Sequence, residues 1–122
     1  MAQNVLPHNH DVEKNSALLQ EIVAKTKNFE IVADVFKQLC DTNRTRIFWL
    51  LCHCEECVLD IAAYVNMTPP AVSHHLKQLK AGGLIVSRRS GKEMYYKAAD
   101  TEQSRLLHIM IEQVIEVACP EG

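Results

Sequence analysis

Between Thr68 and Lys97 the hydrophobic pattern changes period at a pair of glycines, and few folds accommodate such a change within so short a stretch. Thr68 is a good helix N-cap, and Pro69 suits a first turn where its missing N–H costs nothing. Val72, Leu76 and Leu79 then recur at helical spacing until Gly82-Gly83 stops the helix. Beyond the glycines the period is two. Leu84, Ile85, Val86 and Met94, Tyr95, Tyr96 are β-rich runs flanking Arg88-Arg89-Ser90-Gly91-Lys92, which predicts a hairpin with a basic tip. Upstream, Val58 to Val65 reads as a short helix with Ile61, Ala62 and Val65 turned inward, followed by the turn residues Asn66 and Met67. Two short helices joined by a tight turn make a helix-turn-helix, to which the hairpin adds a wing.

The rest of the chain is helical by periodicity. Leu18, Leu19, Ile22, Val23 and then Ile31, Val32, Val35, Phe36, Leu39 predict two helices, or one bent near Asn28. Asp41 and Thr42 can cap the next helix, which carries Ile47, Phe48, Leu50 and Leu51 and ends near a cysteine cluster. A last helix beyond Asp100 bears an apolar stripe from Leu106 to Ala118, broader than a small domain can cover alone, and predicts a dimer interface. The expected fold is mainly α with one small β-hairpin, a winged helix-turn-helix that dimerises through its N- and C-terminal helices. At 122 residues and 48% apolar content, one core is expected. Residues 1–12 are expected to form a mobile arm and residues 13–122 the DNA-binding and dimerisation domain.

No window approaches the ~18 apolar residues of a membrane span, and the N-terminus lacks the charged-then-apolar order of a signal peptide. A cytoplasmic protein without a membrane partner is expected. In that reducing compartment Cys40, Cys52, Cys54, Cys57 and Cys119 bind metal, sense redox state or pack, as expected for Cys40, rather than staple the fold. The net charge is −2, yet Thr68–Lys97 holds six basic side chains against Glu93 alone. A local basic face on an acidic molecule attracts a polyanion at one place and repels it elsewhere. Ser73, His74, His75 and Gln78 on the second helix can read base edges of double-stranded DNA, while Lys77, Lys80 and the wing residues Arg88, Arg89 and Lys92 reach phosphates or the minor groove.

The runs CDTNRTRIFWLL and CVLDIAAYVNMTPPAVSHHLKQLKAGGLIVSRRSGKEMYYKAAD resemble the ArsR/SmtB family of winged-helix repressors. The resemblance covers about residues 30 to 118. It implies a homodimer that leaves operator DNA when an inducer binds. Cys57 and Asp60 stand where the family's cyanobacterial zinc sensor has a cysteine and an aspartate ligand, and His8 and His10 lie in the arm that supplies the other ligands from the second subunit. Such a set suits zinc, and thiolate enrichment shifts preference toward cadmium or lead. Those soft-metal sensors carry a second cysteine where Leu59 stands here, a role only Cys54 could take. Three thiols in Cys52-His53-Cys54-x-x-Cys57 could also bind arsenic, although the family's arsenic sensors place a similar spacing about five residues later. At the family's other zinc site the matching positions are Asp100, Glu102, Gln113 and Glu116, so both histidines are missing. His108 and Glu112 do share a helix face.

Relatives that sense oxidants or reactive sulfur pair one cysteine before the helix-turn-helix with one in the last helix, for which Cys52 and Cys119 are the counterparts. A metal-buffering protein would explain the thiols but not the wing, and a protein-interaction module would bind DNA weakly and without sequence preference. An enzyme is not expected, because no nucleophile, base and orienting acid, phosphate loop or carboxylate pair can be placed.

Overall fold

The computed structural model describes residues 16–120. The expected arm and the histidines His8 and His10 lie outside them. Two compact units divide at Asp34. Through the first run α1 (Ser16–Val23) and most of α2 (Thr26–Gln38); the break lies at Ala24-Lys25 rather than near Asn28. Asn28 instead sits in the first turn of α2, where its N–H donates to the Lys25 carbonyl at 3.0 Å. Neither helix buries a side chain, so Leu18, Leu19, Phe29 and Ile31 remain exposed.

The second unit, from Val35, contains α3 (Thr42–His53), β1 (Glu56–Cys57), α4 (Val58–Val65), α5 (Pro69–Ala81), β2 (Ile85–Ser90), β3 (Glu93–Ala98) and α6 (Glu102–Ala118). Helices α3, α5 and α6 start on side-chain caps. Asp41 accepts from the Arg44 N–H, Thr68 from Ala71 and Thr101 from Ser104, each satisfying an amide that has no intrahelical partner. Asn66 ends α4 in the left-handed conformation, φ 57°, which asparagine tolerates better than most residues, and this turns the chain sharply into α5.

One core holds the unit together. Ile47, Phe48 and Leu51 of α3 meet Ile61 and Val65 of α4, Val72, Leu76 and Leu79 of α5, and Leu84 and Ile85 at the start of β2, all nearly or fully buried. Among the apolar residues of α6 only Leu107 is buried in this core, while Met110 and Ile111 pack at the margin. The buried Ser104 hydroxyl donates to the Leu84 carbonyl at 3.0 Å, and the Ala99 N–H donates to the same oxygen at 2.9 Å, tying the entry of α6 to the entry of the wing.

The sheet is antiparallel in the order β1-β3-β2. Its hairpin ladder runs to Ser90 opposite Glu93, leaving only Gly91-Lys92 as the turn. Gly91 at φ 64° occupies the first turn position, where a II′ hairpin requires glycine. Arg88 and Arg89 therefore lie on β2, and only Lys92 occupies the tip. The two-residue strand β1 pairs Glu56 with Tyr96 and Cys57 with Tyr95, and is too short to announce itself by alternation. Among the described residues no helix is long and apolar enough to cross a membrane.

Gly83 follows α5 at φ 78°, with open space where a side chain would project. Replacing it with alanine therefore strains the backbone without a clash. Gly83→Ala is expected to lower folding stability by about 1 kcal/mol, read as a lower urea midpoint at unchanged slope.

Candidate functional site

Helix α5 has two chemically distinct sides. Val72, Leu76 and Leu79 are locked into the core, so their spacing turns Ser73, His74, Lys77, Gln78 and Lys80 to solvent. His75 is the exception among the expected readers. It is 9% exposed and lies on the buried side, where its Nδ1 accepts from Arg44 Nε at 3.4 Å and its Nε2 stands 3.7 Å from Asp41. That contact puts the ring hydrogen on Nε2 and makes His75 a brace between α5 and the start of α3.

The wing's cations are not equivalent. Arg88 donates from Nε and Nη2 to both carboxylate oxygens of Glu55, at 2.9 and 2.8 Å, and its guanidinium lies 5.2 Å from the centre of the Tyr95 ring. The hydrogen bonds and charge of Arg88 hold the Glu55 carboxyl below the usual carboxylate range. Lys80 donates to Ser87 Oγ at 2.7 Å, joining the end of α5 to β2. Arg89 and Lys92 are exposed. The exposed side of α5 and these two cations therefore offer hydrogen-bonding groups and positive charge to a polyanion, with Arg88 already engaged by Glu55.

The cysteines occupy different environments. Cys57 is buried, pairs with Tyr95 through β1, and caps α4 without a side-chain hydrogen bond. Cys54 ends α3, and its thiol donates to the Leu50 carbonyl at 3.4 Å; burial, then the Glu56 charge, pushes that thiol up. Asp60 is exposed in the first turn of α4. Within one chain Cys54, Cys57 and Asp60 do not converge as a metal-ligand group. Among the described residues only His53, His108 and Glu112 do.

Burial, with a smaller push from Glu112, raises the Cys52 thiol to about 11, so little thiolate forms near neutrality. Helices α3 and α6 run antiparallel, Trp49 meeting Glu112 and His53 meeting His108. Cys119, which ends α6, therefore falls toward the start of α3, on the order of 15 Å from Cys52 at the ~1.5 Å rise per helical residue. A disulfide requires Cα atoms within ~7 Å. The structure does not bring this pair together within a chain. Cys40 is exposed rather than packed, because it follows the end of α2 where the chain turns toward the Asp41 cap.

A model described as "Bacterial regulatory protein, arsR family" matches residues 41–87. The chain is 37% identical over 75 residues to a transcriptional repressor SmtB homolog of Synechocystis, a stretch covering 62% of this chain and 57% of that protein. It is 33% identical over 84 residues to an arsenic resistance transcriptional regulator of Pseudomonas putida, covering 68% of this chain and 72% of that protein. Among solved structures it resembles a homodimeric winged helix-turn-helix DNA-binding domain of Mycobacterium bovis at 31% identity and TM-score 0.65, covering 91% of this chain and 92% of that one.

The brace makes stability depend on pH. Burial, reinforced by Arg44 and His74 and opposed by Asp41, lowers the His75 pKa below its ordinary 6.5. As pH falls through about 6.5 the unfolded chain takes up this proton first, so stability is lost below that value and is unaffected above it. Denaturation midpoints between pH 7.5 and 5.5 should fall less in His75→Gln than in the parent; equal falls would contradict this role.

Proposed function

This chain belongs to the arsR family of bacterial regulatory proteins, and on that basis we propose that it is a homodimeric, operator-binding transcriptional repressor released by a thiophilic metal or metalloid ion. Its family is one of regulators rather than enzymes. The observation that carries the reading is the division of α5, whose core-facing residues hold Ser73, His74, Lys77 and Gln78 outward beside the basic face of the wing. A helix so presented suits the major groove, with Arg89 and Lys92 on flanking phosphates.

Exposed apolar residues support the dimer. Leu106, Ile109, Val114, Ile115 and Val117 of α6 are each about half exposed or more, an apolar surface that favours a partner over water. The relative named for arsenic resistance supports a metalloid or metal ion as inducer. Zinc, cadmium, lead and arsenite all suit cysteine-rich donor sets. Here Cys57 with Cys54 or Asp60 would supply part of the set, and His8 or His10 of the second subunit's arm would complete it.

The loop between the two thiols offers a route from ion to DNA. Glu55 holds Arg88 of the wing, Glu56 and Cys57 pair with β3, and Cys57 caps α4. An ion that draws the buried Cys57 thiol outward would disturb the wing root and the first helix of the helix-turn-helix together. A bias of about 3 kcal/mol toward the DNA-incompetent dimer would lower operator affinity about a hundredfold.

Two measurements test the parts separately. In salt titrations of DNA binding, replacing Arg89 and Lys92 with alanine should weaken binding to all sequences and reduce the log–log salt slope by about 2, whereas Ser73→Ala or His74→Ala should mainly reduce preference for the operator. An unchanged slope in the double variant would remove the wing from the interface. In release assays, Cys57→Ser should abolish the metal response and deletion of the first ten residues should blunt it. A full response in Cys57→Ser would rule out this inducer site.

A further inference from the structure

Three metal-ligating side chains outside the cysteine loop converge between α3 and α6. His53 is the last residue of α3, and His108 and Glu112 lie one turn apart on α6. The Nε2 atoms of the two histidines are 3.1 Å apart, Glu112 Oε1 is 3.9 Å from His108 Nε2, and one ligand atom from each residue lies within 4.8 Å of the others. A tetrahedral ion with ~2.0–2.1 Å bonds to nitrogen or oxygen separates neighbouring ligand atoms by about 3.3 Å. The histidine pair is already near that spacing, and the carboxylate reaches it by a small side-chain rotation.

The surroundings also favour an ion. Trp49 Nε1 donates to Glu112 Oε2 at 2.8 Å, leaving Oε1 as the oxygen nearer His108. The Trp49 ring lies 4.3 Å from the His53 ring, and the His53 and His108 rings meet edge to face at 4.8 Å. An outer hydrogen bond and ring packing of this kind orient ligands before the ion arrives. A His-to-Glu pair spaced i, i+4 is by itself a common solvated contact on a helix. What departs from that reading is a second imidazole from another helix, set Nε2 to Nε2, where one shared proton is all that keeps two lone pairs from facing each other. A cavity of about 410 Å³ lined in part by His53 and His108 gives a hydrated ion access.

We propose that His53, His108 and Glu112 bind one borderline divalent cation per chain, zinc foremost, and so join the end of α3 to α6. Two imidazoles and a carboxylate select zinc, cobalt or nickel over the softer ions that prefer thiolates. Three protein ligands leave a fourth position for water. None of these ligands belongs to the set proposed around Cys57, so the two ion sites stand or fall independently. Because α3 leads directly into the Cys54–Cys57 loop, an ion here would restrain the segment on which the cysteine response depends.

The chain's single tryptophan reports on the site. Cobalt(II) is titrated, without DNA, into the full-length Cys57→Ser protein while Trp49 emission and the visible absorption are followed. The expected result is saturable quenching at one equivalent per chain, ligand-field bands without a thiolate charge-transfer band, and displacement by zinc. His53→Gln and His108→Gln should each weaken binding at least tenfold, with unchanged far-ultraviolet circular dichroism. Should either variant unfold, imidazole resonances provide the readout in the Cys57→Ser protein: one equivalent of zinc should shift those of His53 and His108 and leave His75 in place. Quenching that survives both histidine variants, a thiolate charge-transfer band, or zinc shifts confined to other histidines would overturn the proposal.

Discussion

Burial of Val72, Leu76 and Leu79 is the constraint on which the molecule's surface chemistry depends. These three side chains, essentially inaccessible to solvent, lock α5 against α3, α4 and the root of β2, and its rotation cannot slip by one residue without exposing them. A slip would cost several kcal/mol of apolar burial. The direction in which Ser73, His74, Lys77 and Gln78 point is therefore decided inside the protein. His75 adds to the same lock, since turning it outward would break its contacts with Arg44 and Asp41.

The wing is held by a different kind of interaction. Its apolar anchorage is confined to Leu84, Ile85 and the partly buried Tyr96 and Ala98, while the strand next to it is two residues long. Polar contacts set the rest: Arg88 with Glu55, and Lys80 with Ser87. Exposed ion pairs contribute little to stability, but here one joins the cysteine loop to the wing. The same loop thus sits between α3, the wing and α4: its backbone runs on into α4, and it meets the wing through the β1–β3 pairing and the Arg88–Glu55 ion pair.

Much of this was legible in the residues because local chemistry dictates it. The Thr68-Pro69 start, the Asn66 turn, the Gly82-Gly83 stop and the inward set Ile61, Ala62, Val65 each depend on a few neighbouring side chains, and all match the structure. What escaped depends on residues distant in sequence. The burial of His75 follows from Asp41 and Arg44 packing on it, and a histidine beside Ser73 and His74 carries no mark of that. Arg88 and Arg89 read as tip residues because a two-residue turn and a longer one look alike until the ladder is seen to reach Ser90 and Glu93. His53 stood inside the cysteine run. Only the antiparallel pairing of α3 with α6 sets it against His108 and Glu112, which were visible merely as neighbours on one helix.

The central claim is that the solvent side of α5 and the basic face of the wing form one DNA-docking surface whose orientation the core enforces. Amide chemical-shift mapping of the full-length protein on adding a duplex it has selected from random sequence tests this most directly. The account predicts the largest shifts at Ser73, His74, Lys77, Gln78, Arg89 and Lys92, with Val72, Leu76 and the exposed face of α6 little changed. Shifts concentrated on α6, or a wing and α5 that remain silent while DNA binds, would contradict it.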